Sequence, residues 1–188
     1  MLEPASPNNR WVNTIDSQNP EVIAQASRII DKNIYCTLST CSADGYPWVS
    51  PLLFAYDEDW NIYWSSAIAS QHSQHIYNNH GRVAIAIFDS SISEGAVEGL
   101  YLTGTASELN PDAAETVLQL LLQRATKKHN RTALDYLNDS LRRFYQCKPQ
   151  EVWITGKRVA VGNQLVDTKI QLNLSNLREA KLIEQSQF

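Results

Sequence analysis

Apolar residues are sparse over positions 1–18, which read as a polar arm. From Asn19-Pro20 the pattern becomes helical. Val22, Ile23, Ala26, Ile29 and Ile30 recur at helical spacing behind a proline at the first helical position, and predict a helix to about Lys32. Short runs of β-branched and aromatic residues follow, at 34–40, 48–56 and 61–66, and predict three strands. Asp44-Gly45 and the run Asp57-Glu58-Asp59 supply tight turns, so an antiparallel meander is expected. Residues 70–79 are too polar for a strand and predict a short surface helix that Ser70 caps. Residues 83–88 are almost continuously apolar, as in a strand covered on both faces.

A loop at 89–99 and an alternating strand at 100–109 come next. Asn110-Pro111 opens another helix. Val117, Leu118, Leu120, Leu121 and Leu122 give it a wide apolar face, and Lys127-Lys128 sit at its negative end. Leu134, Leu137, Leu141 and Phe144 predict a second helix at 132–145, with Arg142-Arg143 at its C-terminal end. Residues 151–155 and 169–174 read as returning strands, and 176–186 as a terminal helix. Many short antiparallel strands with late helices predict a mainly β chain with added helices, of α+β class. We expect a small barrel in a single domain over residues 1–188, with residues 111–146 as a helical insert.

Composition narrows the partners. In 188 residues, 43% are hydrophobic and 19% charged, as in an ordinary globular protein. The formal charge of −4 leaves no whole-chain basic footprint for nucleic acid. No run approaches the ~18 apolar residues of a membrane helix, so no membrane partner is expected. Three cysteines without Cys-x-x-Cys spacing fit a reduced, cytoplasmic setting. The charge is unevenly spread. Residues 1–110 hold 4 Lys and Arg against 12 Asp and Glu, and residues 111–188 hold 12 against 8.

Few residue patterns point to chemistry. His72 and His75 share a helix face, but zinc needs a third ligand, so a solvated polar helix is expected and no metal. Cys36 alternates with Ile34 and Leu38 and reads as core; Cys41 lies nearer a turn. No nucleophile elbow or Gly-rich phosphate loop is present, and catalytic residues stay unassigned. Trp48, Trp64 and Trp153 fall in strand-like runs, where aromatics serve a core or a flat cofactor.

The ordered series carries a resemblance. Ile34-x-Cys-x-Leu-Ser-Thr precedes Ala43-Asp-Gly-x-Pro-Trp-Val-Ser-Pro-Leu-Leu-Phe-Ala-Tyr-Asp and Asn61-Ile-Tyr-Trp-Ser-Ser. Then come Ser70-Gln71-His72, Asn79-His-Gly-Arg82-Val83, Leu102-Thr-Gly104-Thr-Ala, Val152-Trp153-Ile154 and Asp167-x-Lys169-x-x-Leu172. Over about residues 22–175 this resembles the pyridoxamine 5'-phosphate oxidase-like family of FMN-binding split barrels. The resemblance implies a six-stranded antiparallel split β-barrel with a helical insert after the fifth strand, forming a homodimer with FMN at the subunit interface. It places Val49, Ser50, Pro51 and Leu52 along the flavin ring. Trp64, Ser65 and Ser66 face the ribityl chain or phosphate, and Ser70, Gln71 and His72 meet the phosphate at a helix N-terminus. Trp153 comes from the closing strands, on this reading of the partner subunit.

Two departures shape the expected function. Val49, Phe54, Gln71 and His72 stand where the vitamin B6 oxidases place Arg and Lys, so phosphate loses charge-assisted contacts. The Arg-x-His substrate motif is also missing from residues 168–174, which disfavours pyridoxine phosphate oxidation. The expectation is therefore an FMN flavoprotein, an oxidoreductase acting on a small molecule the sequence does not name. The alternative is a non-catalytic dimeric binding or stress-type split barrel; a haem-binding relative, with His72, His75, His80 or His129 as ligand, stands third. Compensating charge for FMN is expected from Arg82, Lys127, Lys128, Lys157 or Arg158.

Overall fold

The computed structural model describes residues 6, 8–9, 11–93, 95, 98–127 and 130–185. In chain order, β1 (Val12–Asn13) and a 3-10 turn (Ile15–Gln18) precede α1 (Pro20–Lys32), β2 (Tyr35–Cys41), β3 (Pro47–Leu53), β4 (Ala55–Tyr56) and β5 (Ile62–Ala67). Next are α2 (Gln71–Asn78), β6 (Arg82–Phe88), β7 (Gly99–Glu108), a 3-10 turn (Pro111–Ala113) and α3 (Ala114–Arg124). A 3-10 turn (Ala133–Tyr136), β8 (Arg142–Thr155), β9 (Val159–Val161), β10 (Gln164–Val166), β11 (Lys169–Leu172) and α4 (Leu174–Gln185) complete the chain. None of the described helices is long and apolar enough to cross a membrane. The mixed α+β class is as expected.

These elements belong to two compact units, with β6, β7 and β8 contributing to both. The first unit takes residues 1–33, 87–101 and 151–188. Here β11 pairs antiparallel with the end of β8, from Lys169↔Thr155 to Leu172↔Val152, and parallel with β1. Asn19 caps α1 by accepting from Glu21 N at 2.9 Å, ahead of Pro20. The helix buries Ala26, Ile29 and Ile30. A small hairpin, β9 with β10, carries the exposed ion pair Arg158–Asp167 (2.7 Å).

The second unit takes residues 34–86 and 102–150 and holds most of the candidate residues. Its strands run β8–β7–β6–β2–β3, with β5 pairing both β4 and β8. β2 and β3 pair along their full length, from Tyr35↔Leu53 to Cys41↔Pro47. Asp44-Gly45 turns the chain between them, Gly45 taking φ +90°, which glycine adopts without a steric penalty. Cys36, Leu38 and Thr40 alternate inward from β2. Against β5 and β8, α3 lays down Ala114, Val117, Leu118 and Leu121, packed with Tyr63, Tyr136 and Phe144.

Several expectations need correction. The predicted strand at 48–56 breaks at Phe54 into β3 and β4. The meander breaks with it: β4 pairs β5 through two residue pairs only, while β5 runs six residues against β8. The predicted helix at 132–145 is absent. A four-residue 3-10 turn stands there, Leu134 and Leu141 are exposed, and Arg142-Arg143 begin a 14-residue strand rather than ending a helix. α3 ends at Arg124, short of Lys127; Lys128 and His129 lie outside the described residues. β6 is buried on one face only: Val83, Ile85 and Ile87 point in, while Arg82, Ala84 and Phe88 are exposed. β1 and the β9–β10 hairpin were not anticipated.

Candidate functional site

Four of the residues singled out by sequence converge in the second unit. On β3, Ser50 pairs with Leu38 of β2 and so shares its inward face. On β5, Ser66 is buried, and Ser70 takes the N-cap position of α2. His72, the second residue of α2, is 8% exposed and sits among all three. Its Nδ1 shares a hydrogen bond with Ser50 Oγ at 3.1 Å. Its Nε2 lies 2.7 Å from Ser66 Oγ and 3.0 Å from Ser70 Oγ. A buried polar ring is tolerated when hydrogen-bonded in this way.

The network continues outward on both sides. Trp48 Nε1 donates to Ser50 Oγ at 3.2 Å, and Ser70 Oγ donates to Ser73 Oγ at 2.9 Å. One helical turn on, buried His75 is held at Nδ1 by Thr40 Oγ1 (3.1 Å) and at Nε2 by the Gln71 amide nitrogen (2.7 Å). Burial, and then the neighbouring His75, hold the His72 pKa below the usual histidine value, which favours a neutral ring at pH 7. The polar helix expected to be solvated therefore buries its histidines.

Ser70 occupies the cap position of α2, yet its hydroxyl makes no capping bond to the helix backbone, being turned to His72 and Ser73. The first N–H groups of a helix have no intrahelical partner and favour anions. The donors at this end of α2, backbone amides beside hydroxyls and an imidazole, have the chemistry that binds a small anion. No lysine or arginine is among the described hydrogen-bond partners of His72, Ser66 or Ser70; Arg143, opposite Ser66 on β8, is paired with Glu108 at 2.9 Å.

Other candidates are placed differently. Trp64 is fully buried, stacked on Tyr145 at 5.8 Å between centroids, and does not line an open surface. Ser65 cannot act beside Ser66, because successive strand residues face opposite sides. It meets Arg142 instead, whose Nη2 donates to the Ser65 carbonyl at 3.2 Å. Val49 and Pro51 are exposed and alternate with Ser50 and Leu52, so only the latter pair shares the inward face. Gln71 is exposed and braces His75 rather than His72. Trp153 lies in the first unit, half-buried on β8 opposite Gln171.

Of the expected cations, Arg158 is held by Asp167, Arg82 bonds the Asn79 carbonyl at 3.4 Å, and Lys127 and Lys157 are exposed. Cys36 and Cys147 are core thiols, both pushed up to about 12 by burial and unsuited to nucleophilic work. Thr40 and Ser73 were missed by sequence reasoning, and Trp48 was singled out only as a core or cofactor aromatic. The register Thr40↔Trp48 puts Trp48 two residues from Ser50 on the same face, and that alternation was readable. The pairing of Thr40 with His75 joins residues 35 apart and left no local signal.

The sequence matches the family model for pyridoxamine 5'-phosphate oxidase over residues 23–156. No curated protein matches it. Among solved structures, the fold is similar to a heme binding protein from Mycobacterium smegmatis, with 19% identity, 84% of this chain and 60% of that chain covered, and a TM-score of 0.59. It is similar to an F420 reductase, with 18% identity, 67% and 94% covered, and a TM-score of 0.52. General stress protein 26 from Bacillus anthracis is a third, with 16% identity, 78% and 98% covered, and a TM-score of 0.51. At these identities the likeness is one of fold. The family match takes in β2 through β8 and every member of the His72 cluster, and the chain belongs to the pyridoxamine 5'-phosphate oxidase family, with its split-barrel fold.

Proposed function

We propose that this chain is an FMN-binding flavoprotein that transfers hydride or electrons to or from a small molecule, and that it is not a pyridoxine phosphate oxidase. The observation that carries the reading is the convergence of Ser50, Ser66 and Ser70 on His72 at the uncapped start of α2. Family membership is the second support. In this reading Ser66, Ser70 and His72, with the first amides of α2, hold the phosphate. The half-exposed Trp48 beside Ser50 offers a planar apolar wall for the ring system. FMN, when bound, supplies the hydride chemistry, and the protein supplies position and electrostatics.

We also propose that the chain works as a homodimer in the cytoplasm. β3 ends the strand order, and Tyr46, Trp48 and Val49 are exposed on it or beside it. An edge strand with exposed apolar residues invites cover by another chain. Light scattering on the purified protein tests this, with a monomer as the adverse result.

A second reading, a non-catalytic dimeric binding protein, draws on the hydroxyl-and-imidazole character of the cluster, which lacks a cation to neutralise a phosphate. One titration separates the two. Added FMN should develop bound-flavin absorbance with quenched fluorescence. A colourless protein that ignores FMN sinks the flavin reading, and a Soret shift on adding haemin would redirect it to haem.

A further inference from the structure

The shell around His72 has an unusual chemical property. Each of its three described hydrogen-bond partners is a hydroxyl, on Ser50, Ser66 and Ser70. A hydroxyl both donates and accepts and rotates to suit its neighbour. The same shell therefore satisfies the neutral ring, with one N–H, and the cationic ring, with two. A carbonyl or ammonium partner would favour one form; Ser70 Oγ already donates to Ser73, but Ser50 and Ser66 can turn to serve either, which leaves the choice to the local field.

That field is set by few groups. On α2 itself the ionisable groups are His75, three residues on, and Tyr77, which bonds Glu108 and Tyr145; Arg143, opposite Ser66 on β8, is paired with Glu108. β3, from Pro47 to Leu53, carries no ionisable side chain. β2 contributes Tyr35, Cys36 and Cys41, of which Cys36 is a core thiol and Cys41 accepts from Asn79 at the far end of α2. β5 contributes Tyr63, on the face opposite Ser66. Asp44, in the turn after β2, is exposed and interacts with His75. Arg82 sits beyond the C-terminal end of α2, bonded to the Asn79 carbonyl.

We propose that His72 takes up a proton when a phosphate-bearing ligand docks at the start of α2, becoming the cation the cluster otherwise lacks. This rests on the flavin reading for the identity of the ligand, but not for the response of the ring to phosphate. An opposite charge within about 4–6 Å favours a charged group by roughly ten- to a thousandfold, enough to reverse the neutral state of the free ring. The pKa of His72 then rises from below its ordinary value in the free chain to a higher value in the complex. Binding takes up about one proton between those two values, and affinity falls as pH rises through that window.

The test uses the whole chain between pH 7 and 8.5, where the ligand phosphate, with a second pKa near 6, stays dianionic. FMN, riboflavin and inorganic phosphate are titrated by fluorescence or calorimetry in two buffers of different ionisation enthalpy. The ring C–H resonance of His72 is followed by NMR and assigned with His72→Gln. FMN affinity should fall by up to about tenfold per pH unit, with close to one proton taken up. Riboflavin, lacking phosphate, should bind without proton uptake. His72→Gln should bind FMN about tenfold more weakly at pH 7 and lose the slope.

A pH-flat FMN affinity, or a slope kept in His72→Gln, overturns the proposal and leaves the flavin reading standing. If FMN does not bind at any pH, the flavin reading fails, and inorganic phosphate decides the proposal alone. A move of the His72 resonance toward the protonated position supports it, and no move overturns it. Calorimetry and NMR on the unsubstituted chain keep the test decisive should His72→Gln not fold.

Discussion

Two helices of the second unit engage opposite faces of the same strand by opposite means. α3 offers Ala114, Val117, Leu118 and Leu121 to the side of β5 that carries Tyr63. α2 sets His72 against Ser66 on the other side of that strand, and His75 against Thr40 of β2. The first contact is apolar packing, which contributes stability in proportion to area and tolerates repacking. The second is a hydrogen-bonded network, whose net contribution per bond is small and whose penalty when half-satisfied is large. A helix held this way is an inefficient means of stabilising a fold. The contrast is the physical reason to place function under α2 and scaffold under α3.

The sharpest attack on that contrast is Leu118→Ala. Leu118 is buried in the α3 cluster, so its truncation should cost about 2–5 kcal/mol, read from the midpoint of urea unfolding. Flavin affinity per folded molecule should stay unchanged. A variant equally stable, or one that stays folded but loses FMN, would break the division of labour between the two helices.

Next in size is Gly81→Ala, at the exit of α2. Gly81 takes φ +69°, and a Cβ there would collide with the Ala106 carbonyl oxygen. That oxygen belongs to β7 backbone, and Ala106 N donates to the Gly81 carbonyl at 2.7 Å. Neither side can yield cheaply, so a loss of about 1–3 kcal/mol is expected by the same unfolding measurement. Because the strain falls at the base of α2, FMN affinity should fall with it, unlike the response to Leu118→Ala.

The same contrast explains what was readable in the sequence. α1, the β2–β3 hairpin and α2 each carry a local signal: Asn19-Pro20, Asp44-Gly45, and a polar run behind Ser70. Ser50, Ser66, Ser70 and His72 were reached through the ordered family motifs, and the fold then brought them into one cluster. β8 was readable only at its end, over 151–155. At its start Phe144 enters the α3 cluster while the adjacent Tyr145 stacks on Trp64, which breaks the period of two there. Leu134, Leu137 and Leu141 then imitated a helix, although Asn138, just past the 3-10 turn, takes φ +51° and Leu134 and Leu141 face solvent. That misreading also hid the contact between Arg142 and Ser65, since it assigned Arg142 to a helix end. β6 erred the other way: its alanines completed an apolar run without being buried as a pair.

The smallest expected effects test the alternation itself, on neighbouring residues of β5. Ser66→Ala removes one of two hydroxyls at His72 Nε2, and Ser70 at 3.0 Å remains to satisfy the ring. The loss should be about 0.5–1.5 kcal/mol in unfolding, with weaker FMN binding. Ser65→Ala removes a hydroxyl whose nearest guanidinium nitrogen, on Arg142, is 3.5 Å away, while the stronger bond goes to the Ser65 carbonyl and survives. Its cost should stay within about 0.5 kcal/mol, and FMN affinity should not change. Both variants delete the same atoms from adjacent positions, so any difference between them reports the face and not the residue type. Equal losses of affinity would mean that the phosphate is reached from both sides of β5. The assignment of its site to the α2 side alone would then have to be abandoned.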